Sequence, residues 1–170
     1  MPLHLEPLHV DHLPHVMTWV NDHDVLQYFA NRQTDVTSEE ERAYIEALVA
    51  SPNDRAYSVF DDETYVGQVS LNQIYWPARN ARIFVVVRRE FQGRGFGAAA
   101  VQGLVEKAFG ELDLRKVWLI VRKDNRHAQA MYLRLGFDFE GVLRDEYAVQ
   151  GQYFDMVRMA RLAPLRPRER

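Results

Sequence analysis

The chain has no cysteine among its 170 residues. That excludes a disulfide framework, a thiolate nucleophile and any zinc site built on sulfur. No apolar run approaches the length needed to span a bilayer, so no membrane segment is expected. The first residues, Met1-Pro2-Leu3-His4-Leu5-Glu6, lack the basic head and apolar stretch of a secretory signal, and a cytoplasmic protein is expected. Lysine is missing from residues 1–87, which carry 13 acidic residues against 5 arginines, whereas residues 88–170 carry 16 basic residues against 11 acidic ones. A basic C-terminal half favours an anionic cofactor and an acidic N-terminal half a cationic acceptor, although both also read as solvated faces. The basic tail lacks interleaved aromatics and is too short to supply much affinity, so no nucleic-acid partner is expected.

The composition is that of a globular protein large enough for one domain with a real core, here residues 1–162, followed by a Pro- and Arg-rich tail over 163–170. Leu3 to Val10 reads as a strand. Asp11 is a candidate cap for a helix to about Asn21, and 22–29 as a further short helix or turn. After a polar loop over 31–36, Thr37 or Ser38 caps a helix to about Ala50, with Glu40 or Glu41 completing a capping box. Three strands follow, Ala56–Phe60, Tyr65–Ile74 and Ala81–Val87, separated by turn residues. A helix runs from the glycines near residue 95 to about Leu112, burying Ala100, Val101, Leu104, Val105, Ala108 and Phe109. The continuous run Val117–Val121 reads as a strand buried on both faces. Asn125 opens a short helix that Gly136 ends, and a hairpin turns at Gln150-Gly151. The fold class is α/β: a mixed, mostly antiparallel sheet of about seven strands flanked by about four helices. The strand at Val117 follows a helix, so it should lie parallel to Ala81–Val87 by a right-handed crossover.

The segment Gln92-Gly93-Arg94-Gly95-Phe96-Gly97-Ala98 joins a strand to a helix. Such a junction leaves backbone N–H groups unpaired at the positive end of a helix, and glycines let a phosphate approach them. It is neither a Walker loop, since no Gly-Lys-Ser/Thr follows, nor the dinucleotide fingerprint, since the third glycine comes one place early. Taken alone, it serves equally as a tight connection.

Further motifs give it context. Trp19-Val20-Asn21-Asp22-His23-Asp24-Val25, Arg89-Glu90-Phe91-Gln92-Gly93-Arg94-Gly95, Asp124-Asn125 with Ala128, Tyr132, Gly136 and Phe137, and the hairpin residues Gly141, Leu143, Gly151, Gln152, Tyr153 and Asp155 stand in order along the chain. Together they resemble the GNAT superfamily of acetyl-CoA-dependent N-acetyltransferases, in the branch of ribosomal-protein, spermidine and aminosugar acetyltransferases. The resemblance implies direct transfer of an acetyl group, in a ternary complex, to the neutral amine of a small molecule or a protein N-terminus. It implies that amides of Gly93, Arg94, Gly95, Phe96, Gly97 and Ala98, with Gln92, hold the pyrophosphate. The backbone of Val85, Val86 and Val87 would pair with the pantetheine arm, Asn125 would bond that arm, and Tyr132 would protonate the leaving sulfur. Read alone, Tyr132 is a core tyrosine and Asn125 a helix cap. Tyr28 and Arg82 are expected to touch the acceptor.

One position departs from the pattern: Arg82 stands where many relatives carry glutamate, and arginine cannot act as a base. The amine is then deprotonated through water, by Glu146 or Asp145 on the later hairpin or by another carboxylate; alternatively Arg82 recognises an anionic group on the acceptor, a carboxylate or a phosphate. The missing glutamate also leaves open a catalytically weak acyl-CoA sensor. His9, His12 and His15 have a spacing that permits a metal site in principle, but they straddle a junction and are assigned to surface or packing, with no metal. Exposed strands of the terminal hairpin make a homodimer plausible.

Overall fold

A computed structural model describes residues 3–27 and 34–165. Seven strands form one sheet: β1 (Leu3–Pro7), β2 (Arg55–Asp61), β3 (Thr64–Tyr75), β4 (Asn80–Val87), β5 (Lys116–Arg122), β6 (Asp138–Val149) and β7 (Gln152–Leu162). Their spatial order is β1-β2-β3-β4-β5-β7-β6, and only the β4–β5 pair is parallel. That pair is joined by α3 (Phe96–Gly110), as a parallel crossover requires. The other helices are α1 (Leu13–Val16), α2 (Ser38–Ala50) and α4 (Arg126–Arg134).

The sheet separates two cores. On one side Leu71, Ile83 and Leu119 pack with Val101 and Leu104 of α3. On the other, Phe60 and Val86 pack with Val16, Trp19 and Ile45. The stripe expected on α3 is buried except Phe109, which is half-buried. Gly67 allows β3 and β4 to come together closely: a Cβ there would lie 2.1 Å from the Val86 carbonyl oxygen. Thr37 caps α2 as expected, its Oγ1 accepting from the Glu40 amide at 3.2 Å while Glu40 Oε2 accepts from the Thr37 amide at 2.8 Å. The terminal hairpin turns through Gln150 and Gly151, both at positive φ, the geometry of a two-residue hairpin turn.

Three elements differ from expectation. The first helix is shorter than 11–21: a 3-10 turn over Val10–His12, capped by His9 rather than Asp11, leads into the single turn of α1. The Thr18 hydroxyl donates to the His15 carbonyl at 2.6 Å, and the amides of Thr18 and Trp19 bond three residues back, so the helix tightens and stops. β5 is buried on one face through Val117, Leu119 and Val121, but Trp118 and Ile120 on the other are half-buried: Ile120 lines a cavity, and Trp118 lies under the guanidinium of Arg158 at 3.9 Å. Ala163, expected in the tail, is tied to Arg115 by its amide at 2.9 Å and by its carbonyl. The histidine rings do come together: His12 and His15 each lie 5.8 Å from Phe60, and His15 stacks on Tyr65 at 4.7 Å. They form an aromatic packing cluster in which burial lowers the pKa of His12.

Candidate active site

The parallel strands part early. β4 and β5 pair at Asn80–Lys116, Ala81–Val117 and Arg82–Trp118, and no pair follows. The wedge between them widens into a cavity of about 510 Å³, with Val85, Val86 and Val87 on one wall and Leu119 to Arg122 on the other. Unpaired strand backbone along such a wedge can take an extended ligand as an added strand. At the wide end lies the glycine turn. Gly93 and Gly95 sit at φ +72° and +83°, and Gly95 is the N-cap of α3. The first amides of α3, from Phe96 to Ala98, have no carbonyl one turn before them, so this rim presents N–H groups at the positive end of a 15-residue helix.

The expected cofactor residues take different parts. Gln92, Gly93, Gly95, Gly97 and Ala98 line the cavity, and Gln92 Nε2 donates to the Val87 carbonyl at 3.0 Å, closing the end of β4. Phe96 turns its ring into the core, edge-on to Phe91 at 5.7 Å, so only its backbone faces the turn. Arg94 does not line the cavity; its guanidinium lies over the rings of Phe91 and Phe96 at 5.5 and 5.2 Å. Asn125 lines the cavity and caps α4, its Oδ1 accepting from the Ala128 amide at 3.2 Å. Tyr132 is buried on the same wall, and burial pushes its phenol up to about 12, so it is a proton donor throughout the neutral range.

A second cavity, of about 900 Å³, opens on the α1–α2 side. Its floor is a polar ladder on β3, where Gln68, Ser70 and Asn72 alternate with buried Val69 and Leu71. Ser70 Oγ donates to Asn72 Oδ1 at 2.7 Å, and Asn72 Nδ2 donates to Asp54 Oδ1 at 2.9 Å. Gln68 Oε1 is buried and has no hydrogen-bond partner among the described residues. The rim of this cavity is the segment after α1. Asn21 clamps its base, exchanging hydrogen bonds with the Val36 backbone at 2.9 Å in both directions. Asp22 pins its flank, accepting from Arg89 Nη2 at 2.5 Å, and this bond lowers the carboxylate pKa.

Arg82, Phe84 and Tyr147 line both cavities, so the two meet at these side chains. Arg82 Nη2 donates to the Tyr147 hydroxyl at 3.1 Å, and the guanidinium lies 5.8 Å from the Trp118 ring. The structure does not bring Glu146 to this place. Glu146 and Asp145 are exposed and line neither cavity; the β6 side chains turned inward are Tyr147 and, two residues on, Val149. Tyr28 lies outside the described residues. Tyr147 and Phe84 were not anticipated. The Gln68-Ser70-Asn72 ladder was legible as polar residues at period two within an apolar strand. Among the described residues no cluster of three or more His, Asp or Glu could hold a metal ion, and no helix is long and apolar enough to cross a membrane.

A splayed parallel pair with an amide-lined turn at its mouth, opening at its narrow end into a second cavity, is the architecture of an enzyme that joins an acyl-CoA to an acceptor. The chain belongs to the GNAT acetyltransferase family, whose acetyltransferase (GNAT) domain matches residues 3–138. It is 30% identical over 155 residues to the spermidine N(1)-acetyltransferase of Escherichia coli (strain K12), covering 91% of this chain and 83% of that protein. It is also 34% identical over 96 residues to a putative ribosomal N-acetyltransferase of Bacillus subtilis (strain 168), covering 56% of this chain and 52% of that one. Among solved structures, the spermidine N-acetyltransferase of Vibrio cholerae in complex with CoA and spermine superposes with a TM-score of 0.89 at 26% identity, covering 94% of this chain and 95% of that one. The protein is an acetyl-CoA-dependent N-acetyltransferase.

Proposed function

We propose that acetyl transfer takes place where the two cavities meet, at Arg82, Phe84 and Tyr147, with acetyl-CoA in the wedge between β4 and β5 and the amine in the α1–α2 cavity. The observation that carries this reading is that these three side chains alone line both spaces among the described residues. The amides of Gly93 to Ala98 hold the pyrophosphate at the positive end of α3, and the Val85–Val87 backbone pairs with the pantetheine arm. Asn125, besides capping α4, bonds that arm. Tyr132 donates a proton to the departing sulfur, a role suited to a phenol that burial keeps neutral.

Among the described residues no carboxylate lines the junction itself, and the amine sheds its proton to water in the open acceptor cavity before it attacks. The E. coli and V. cholerae relatives are named for spermidine, which makes a primary amine the natural acceptor class. The edge strand β6 is left as a surface on which a second copy could pair. The test is thiol release from acetyl-CoA in the presence of primary amines, with Tyr132→Phe alongside. Release that depends on amine and collapses in the variant supports the reading. Tight acetyl-CoA binding without release on any amine overturns it.

A further inference from the structure

Arg82 is a half-buried guanidinium at the junction, and its contacts are the Tyr147 hydroxyl and the Trp118 face. Among the described residues no carboxylate pairs with it, although three carboxylates line the neighbouring cavity. Each of these is engaged elsewhere. Asp54 accepts from Ser51 at 2.5 Å, from Asn72 at 2.9 Å and from the Gln73 amide at 3.3 Å. Asp35 lies 3.3 Å from His23, and Glu41 has its own partner within the protein. A half-buried cation without a counter-ion favours an anionic partner, and a guanidinium held by one hydrogen bond and one ring face presents its remaining N–H fork in a set direction.

We infer, resting on the acetyltransferase reading above, that the acceptor is an amine bearing an anionic group, carboxylate or phosphate, on the same or the neighbouring carbon. The closeness of the two groups follows from where Arg82 stands. The reacting nitrogen must reach the junction, and so must the anion that pairs with Arg82, so both belong to one small end of the molecule. A carboxylate or phosphate fits the planar fork through two parallel hydrogen bonds. A polyamine brings only cations to this place and meets like charge. Arg82 therefore selects the acceptor, a positioning role that glutamate at the same place could not fill.

The experiment compares matched acceptors in the thiol-release assay. The standard amino acids are set against their amides, phosphoethanolamine against ethanolamine, and spermidine is the polycation. Wild type, Arg82→Gln and Arg82→Lys are run together, with thermal melting to show that each variant folds. The inference predicts that wild type prefers the anion-bearing member of a pair by roughly tenfold to a hundredfold in kcat/KM. Arg82→Gln brings that ratio near unity, and Arg82→Lys retains part of it because the charge stays and the fork is lost. A preference confined to amino acids assigns a carboxylate, and one confined to phosphoethanolamine assigns a phosphate. Preference for spermidine or the uncharged partners, or a ratio that survives Arg82→Gln, overturns the inference and leaves the transferase reading standing. No turnover on any amine overturns both.

Discussion

The Tyr147 hydroxyl accepts a hydrogen bond from Arg82 Nη2 at 3.1 Å, joining the bulged part of β6 to the last residue of β4 that still pairs with β5. The contact closes the narrow end of the wedge and aims the guanidinium into the junction. Tyr147→Phe removes the hydroxyl and keeps the ring. The expected result is a rise in acceptor KM of roughly threefold to tenfold, the value of one hydrogen bond, with a smaller change in KM for acetyl-CoA. Equal changes in both constants would mean that the pair merely supports the wedge.

Tyr132 is the buried phenol on the cofactor wall. Tyr132→Phe is predicted to lower kcat by roughly a hundredfold or more, in the range of a lost general acid, with acetyl-CoA affinity little changed. In the wild type, kcat should show no alkaline loss traceable to this residue below the ordinary tyrosine value of 10.0. A variant with near-normal kcat would remove Tyr132 from the proton path.

The same burial makes a stability prediction. Tyr65 and Tyr132 are both raised from 10.0 to about 12, chiefly by desolvation. Below pH 10 both phenols are neutral in the folded and unfolded chain, and their contribution is fully present. Between pH 10 and 12 the unfolded chain ionises first, the folded state holds more protons, and stability falls as pH rises. The loss is on the order of 2 kcal/mol for each group at the top of that window. Urea unfolding at stepped pH measures it, and Tyr132→Phe should show a shallower decline than wild type.

Asn125 is given two jobs, and two substitutions separate them. Asn125→Ala removes the oxygen that accepts from the Ala128 amide at 3.2 Å and should cost about 1 kcal/mol in stability. Asn125→Asp keeps a capping oxygen and most of the stability but loses the side-chain amide donor. If Asn125 also bonds the pantetheine arm through that donor, both variants raise KM for acetyl-CoA. A normal KM in Asn125→Asp would leave only the cap.

The sequence makes the wedge legible because backbone rules govern it. Glycines at a strand-to-helix junction and a parallel crossover enforced by α3 can both be read from local pattern. The acceptor side was less legible because the residues of the hairpin do not say which face of β6 turns inward; packing against the rest of the sheet decides it. Tyr147 and Val149, two residues apart, share the face that lines the acceptor cavity, which leaves Glu146 on the opposite face. The capping role given to Asp11 went to His9, whose Nδ1 accepts from the Asp11 amide at 3.1 Å. Arg82 stood out as a departure in the sequence, but that no carboxylate among the described residues pairs with it became visible only once the carboxylates of the neighbouring cavity had been placed.

The central claim is that both substrates meet at one junction and the acetyl group passes directly between them. A chain without cysteine offers no thiol to carry it. Initial rates measured over a grid of acetyl-CoA and amine concentrations test this most directly. Double-reciprocal lines that intersect are the predicted result, since both substrates must be bound together before transfer. Parallel lines would reveal an acetylated enzyme released from CoA before the amine binds, and would contradict the account.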